Sequence, residues 1–78
     1  MVKKYYSHQT STIDNNCTIG AGTKIWHYSH LMKNCVIGKN CIIGQNVFIS
    51  SKVKIGNNVK IQNNVSLYDG VFCENDVF

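Results

Sequence analysis

From Ile13 to Leu67 every sixth residue is a branched aliphatic: Ile13, Ile19, Ile25, Leu31, Ile37, Ile43, Ile49, Ile55, Ile61, Leu67. A period of six fits neither the 3.6-residue turn of an α-helix nor a long strand alternating at two. It fits a solenoid of short strands and turns, in which three hexads close one triangular coil of eighteen residues. A second track lies four places after the first: Cys17, Thr23, Ser29, Cys35, Cys41, Val47, Val53, Val59, Val65 and Val71. All of these are small, and neither track carries a charge. The pattern therefore predicts a β-helix whose aliphatics fill the prism, whose small residues line it, and whose coils stack at about 4.8 Å.

The other hexad positions agree. Gly20, Gly38, Gly44 and Gly56 directly follow aliphatics, and Asn16, Asn34, Asn40, Asn46, Asn58 and Asn64 stand three places after them. Glycine accepts positive φ freely and asparagine tolerates the left-handed region, so both suit corners. The eight lysines all fall outside the inward tracks, as solvated ammonium groups must. Ten hexads in register resemble the hexapeptide-repeat acyltransferase superfamily, and that resemblance, not the period, implies a left-handed coil. Right-handed crossovers are the general rule for parallel strands.

An all-β, left-handed parallel β-helix of about three to four coils is thus the expected fold, with residues 1–12 as an N-terminal cap segment and 13–78 as the helix. No capping element is visible after Asp69, and the hexad phase continues through Cys73 and Val77. An open solenoid edge normally needs a cover, so the chain is expected to be the N-terminal part of a longer protein. Outward positions bear Val36, Ile42, Phe48, Phe72 and Phe78, apolar columns that suggest a partner surface. Members of the resembling superfamily form trimers through prism faces, which makes a homotrimer the expected assembly.

The net charge of +4 comes from dispersed lysines with no arginine, a poor footprint for nucleic acid. It suits an anionic nucleotide-linked substrate or coenzyme A. Cys17, Cys35 and Cys41 occupy the small track and Cys73 the aliphatic one, with no CxxC. That reads as core thiols in a reducing cytoplasm, with no metal. Residues 1–11 are polar, unlike a signal peptide, and no window could span a membrane.

Where the corner chemistry departs from Gly and Asn, spacing by eighteen shows which departures meet. Ile25-Trp26-His27-Tyr28 puts aromatic and imidazole groups at one corner. Gly44-Gln45-Asn46 and Gln62-Asn63-Asn64 follow above it. His27, Gln45 and Asn63 should form one column, flanked by Trp26-Gly44-Gln62 and by Tyr28-Asn46-Asn64. Amide donors and acceptors beside an indole are what a hydroxyl-rich sugar or a flat base requires. An asparagine ladder that merely holds coil on coil explains the same residues, and the column alone does not separate the two.

Further residues sharpen the likeness: IWH at 25–27, GQNVFI at 44–49 and KIQNNVSLYDGV at 60–71. They resemble the bacterial nucleotide-sugar N-acetyltransferases of surface-polysaccharide (lipopolysaccharide) synthesis, typified by the enzyme acetylating UDP-2-acetamido-3-amino-2,3-dideoxyglucuronate. The likeness runs from about Tyr5 to Phe78, with His8-Gln9-Thr10 standing where members carry His-Pro-Thr. It implies a UDP-amino sugar lying between subunits against Trp26, His27, Gln45, Asn46, Gln62, Asn63, Asn64, Tyr68 and Asp69. It also implies acetyl-CoA as acyl donor, held mostly by regions beyond this chain. The amine would attack the thioester while donors stabilise the oxyanion. His27 and Asp69 are the candidates for moving the amine proton, with the base unassigned. His30, on an outward track, reads as interface or surface, and His8 as a cap or substrate-edge contact.

The competing expectation is a non-catalytic, truncated β-helix acting as an assembly module. A carbonic-anhydrase-like zinc enzyme would need three converging imidazoles, and no histidine stands a coil above His27 or His30. Ice binding would need ranks of threonine, which Thr18 and Thr23 do not begin.

Overall fold

The structure is a computed structural model that describes residues 4–76. Among the described residues twelve two-residue strands follow one another at six-residue intervals. They are β1 (Tyr6–Ser7), β2 (Thr12–Ile13), β3 (Thr18–Ile19), β4 (Lys24–Ile25), β5 (His30–Leu31), β6 (Val36–Ile37), β7 (Ile42–Ile43), β8 (Phe48–Ile49), β9 (Lys54–Ile55), β10 (Lys60–Ile61), β11 (Ser66–Leu67) and β12 (Phe72–Cys73). All pairing among these strands is parallel, and each paired residue meets one eighteen places away, as in Ile25↔Ile43 and Ile43↔Ile61. Three four-stranded sheets result: β1-β4-β7-β10, β2-β5-β8-β11 and β3-β6-β9-β12. Four coils of a three-sided parallel β-helix are the outcome, as the period predicts.

The first track fills the prism. Ile25, Leu31, Ile43 and Ile49 are fully buried, and Cys35, Cys41, Val47, Val53 and Val59 line it beside them. Thr23 and Ser29 are also buried, which a bare hydroxyl could not tolerate. Thr23 Oγ1 donates to Gly38 O at 2.7 Å and accepts from Cys41 N at 3.1 Å. Ser29 Oγ likewise donates to Gly44 O at 2.7 Å and accepts from Val47 N at 3.1 Å. Cys17 and Cys41 send their thiols to Met32 O and Gly56 O, each at 3.0 Å. The small track thus clips each coil to the corner of the next.

Two expectations change. Part of the 1–12 cap segment belongs to the helix, because Tyr6–Ser7 pairs with Lys24–Ile25 as β1 and Tyr5 packs against the core. Ser7 takes the register of an aliphatic, so the apolar period does not reveal this coil. Gly38 and Gly44 serve space rather than torsion: positive φ among glycines is confined to Gly22 and Gly70 in the described residues. A Cβ on Gly38 would lie 2.6 Å from Gly56 O, and one on Gly44 would lie 2.5 Å from Asn63 Oδ1.

The outward apolar side chains do not form one surface. Ile42 stands on the first sheet between Lys24 and Lys60, Phe48 on the second, and Val36 and Phe72 on the third with Lys54 between them. The hexad places one outward residue per face per coil, so successive apolar positions rotate around the prism. Phe78 lies outside the described residues. Among the described residues there is no helix long and apolar enough to cross a membrane.

Candidate functional site

The corner that links the first sheet to the second carries His8-Gln9-Thr10, Trp26-His27-Tyr28, Gly44-Gln45-Asn46 and Gln62-Asn63-Asn64 in four successive coils. The expected columns form. Asn46 N–H donates to His27 O at 2.8 Å and Asn64 N–H to Gln45 O at 2.9 Å. The Ser29 hydroxyl, bonded on both sides of Gln45-Asn46, fixes this corner from inside the prism.

The two readings of the amide column separate here. Asn63 Oδ1 accepts Gln45 N–H at 2.8 Å. The same bond recurs at the corner following the third sheet, where Asn57 Oδ1 accepts Lys39 N–H at 2.8 Å and Asn75 Oδ1 accepts Asn57 N–H at 2.7 Å. Asn63 is therefore one rung of a general ladder, and its oxygen is committed to the coil below. Gln45 and Gln62 are exposed at this corner. Asn46 Nδ2 donates to Asn64 Oδ1 at 3.0 Å, leaving one acceptor and one donor of that pair turned to water.

Aromatic rings cluster at the lower end of the corner. Tyr6 meets Trp26 at 5.6 Å between centroids, Trp26 lies 6.3 Å from His27 at an interplanar angle of 15°, and His8 lies 3.8 Å from His27. His8 Nδ1 bonds to Thr10 Oγ1 at 2.9 Å. The Nδ1 of His27 is buried with no hydrogen-bond partner, so Nε2 is the nitrogen left for any proton transfer by that ring. His8 and Tyr6 were not legible as members of this cluster from their own hexads. The signal was available by counting back eighteen from Trp26 and Lys24.

Tyr68 and Asp69 do not join this corner. They follow β11 and sit where the second sheet turns to the third, with Asp14, Met32 and Ser50 in the column beneath Tyr68. Asp69 Oδ1 accepts a hydrogen bond from Ser50 Oγ, a partner the sequence reading omits although it stands eighteen before Tyr68. Both corners nevertheless bound one face, the outer surface of the second sheet, whose outward residues are Thr12, His30, Phe48 and Ser66. Tyr68 stands four positions after Asn64, roughly 13 Å of extended chain. On that face His30 Nε2 and Asp14 Oδ2 are 3.1 Å apart, and Phe48 meets the His30 ring edge-on at 6.0 Å.

No group of three or more His, Cys, Asp or Glu among the described residues is placed to hold a metal ion. The four cysteines are free. Cys35 Sγ lies 3.2 Å from Cys17 Sγ, and burial, with that neighbour, pushes the Cys35 thiol far above its ordinary range. Burial also raises Cys73. In Cys35 and Cys73 burial thus favours the protonated thiol, and all four cysteines pack in or against the core as small groups.

The bacterial transferase hexapeptide (six repeats) family model matches residues 16–51, somewhat under half of the chain's 78 residues. The match supports the hexapeptide-repeat superfamily and a repeat domain of the acyl- or acetyltransferase type, and it is consistent with a left-handed coil. No curated protein matches the chain.

Proposed function

From the premise of a repeat domain of the hexapeptide-transferase type, we propose that the chain forms the sugar-nucleotide side of an acetyl-CoA-dependent N-acetyltransferase acting on an amino-sugar nucleotide in bacterial surface-polysaccharide synthesis. The observation that carries this reading is the face of the second sheet. One edge offers Trp26, His27, Gln45, Asn46, Gln62 and Asn64, the other Tyr68 and Asp69, and the gap between them suits an extended, polar ligand. Asn63 contributes by holding Gln45 in place.

The reaction joins the sugar amine to the thioester carbonyl of acetyl-CoA, its second substrate. The nitrogen lone pair forms the C–N bond, the tetrahedral oxyanion collapses, the C–S bond breaks, and the amine proton ends on the departing thiolate or solvent. His27 Nε2 and the Asp69 carboxylate are the groups of this chain suited to carry that proton, because the His27 Nδ1 is sealed and Asp69 Oδ2 is free of the Ser50 bond. A homotrimer in the cytoplasm is the proposed setting, and the subunit interface would close the ligand against a neighbouring prism.

The test is release of coenzyme A when the chain meets acetyl-CoA and a UDP-linked 3-amino sugar. Thiol release that needs the free amine supports the reading. Absence of release at any protein concentration favours a non-catalytic assembly module, for which the recurrence of the Asn63 rung at Asn57 and Asn75 is the structural argument.

A further inference from the structure

The left-handed region of backbone space is used at the corners, and among the described residues it holds six asparagines, Asp76, Gly22, Gly70 and two exceptions, Lys52 and Tyr28. An L-residue with a large side chain is disfavoured there, whereas Asn and Gly accept it readily. Lys52 explains itself, since an exposed ammonium on an unbranched stem is at home in water. Tyr28 does not. Its φ is 58° and 70% of its surface is exposed, so the ring gains little burial in return for a strained backbone. At the equivalent corner positions Asn40, Asn46 and Asn64 donate N–H to a carbonyl one coil below. Tyr28 N–H instead takes the hydroxyl of Thr10 at 3.0 Å, a side-chain clamp that holds the unfavourable conformation. Strain kept in this way at an exposed position points to a use for the side chain.

We infer that Tyr28 is a stacking platform for the base of the nucleotide, with the Asn46–Asn64 carboxamide pair reading the base edge. The inference takes the nucleotide from the proposed transferase reading, but its test does not depend on catalysis. The ring stands in the column of Asn46 and Asn64, at the border of the second sheet. The Asn46 Nδ2 to Asn64 Oδ1 bond leaves Asn46 Oδ1 to accept and Asn64 Nδ2 to donate, which is the complement of a donor–acceptor base edge. An aromatic plane beside a fixed amide pair recognises a flat heterocycle with polar margins.

The experiment titrates UDP, without a sugar, into the wild-type chain and into Tyr28→Phe and Tyr28→Asn, following binding by calorimetry and folding by thermal melts. Tyr28→Phe keeps the ring and holds affinity within about twofold. Tyr28→Asn loses about tenfold or more, the size of one base–aromatic stack, while its Tm stays level or rises, because Asn adopts the left-handed backbone at lower cost. Equal UDP affinity in wild type and Tyr28→Asn overturns the inference, as does a fall in Tm on that substitution or failure of the wild-type chain to bind UDP. Weaker binding of N-acetylglucosamine with UDP untouched also overturns it, and assigns the ring to the sugar. Coenzyme A release with an unaltered Tyr28→Asn KM refutes the platform and spares the transferase. Loss of UDP binding in a chain that transfers no acetyl group does the reverse.

Discussion

Replacing Ser29 with alanine removes one oxygen atom from the middle of the prism. That oxygen serves two buried backbone groups, accepting from Val47 N–H at 3.1 Å and donating to Gly44 C=O at 2.7 Å. Val47 and Ser29 are each about 1% exposed, so water cannot replace the lost partner. A buried polar group left unsatisfied costs about 1–3 kcal/mol, and two of them make a loss of about 2 kcal/mol the lower bound. For a chain of this size that corresponds to a Tm fall of at least ~8 °C. The assay is a pair of melts, thermal and urea, by circular dichroism at one fixed protein concentration, since assembly would shift both midpoints. Ser29→Cys is the internal control, because Cys41 already makes the equivalent bond to Gly56 O through sulfur. The cysteine variant should retain more than half of what alanine loses. An alanine variant within about 0.5 kcal/mol of wild type would refute the idea that this track clips the coils through hydrogen bonds. So would a cysteine variant no better than alanine.

Gly38→Ala drives a Cβ to 2.6 Å from Gly56 O. Neighbouring coils must part to admit it, and urea midpoints should show a loss of about 2 kcal/mol or more, larger than for Gly70→Ala, whose Cβ meets nothing within 4 Å and whose cost is that of the positive φ alone. Cys35 and Cys73 have thiol pKa values raised on folding, so the unfolded chain releases these protons first. Stability is then full below the ordinary thiol pKa and declines as pH rises above it, by up to about 1.4 kcal/mol per unit for the buried Cys35 thiol and by less for the part-exposed Cys73, which solvent screens. Urea melts from pH 8 to 10 should show this slope flattened by Cys35→Val, and an unchanged slope would refute the assignment. Asn63→Ala should cost about 1 kcal/mol in melts through loss of the Gln45 N–H acceptor. Gln62→Ala, at an exposed side chain, should leave the melt within 0.5 kcal/mol and weaken only the titration with UDP-sugar.

The prism was legible in the order of residues because its physical cause is local and repetitive. A buried Ile at each sixth place and a small neighbour four places on demand a three-sided coil, and Ile25, Ile43 and Ile61 stack as that demand requires. The same arithmetic brought His27, Gln45 and Asn63 to one corner. Three-dimensional packing was needed for the rest. The first coil hides behind Ser7, which has no apolar signal yet pairs in register with Ile25. Tyr68 and Asp69, close in sequence to Asn64, turn a further corner away, and they meet the amide edge only across the face of the second sheet. That Asn63 binds backbone while Tyr28 bears positive φ under a Thr10 clamp depends on which atoms meet between coils. A one-dimensional period sets which residues are neighbours; hydrogen-bond geometry and backbone torsion, which arise only when the coils stack, settle whether each neighbour supports the fold or faces a ligand.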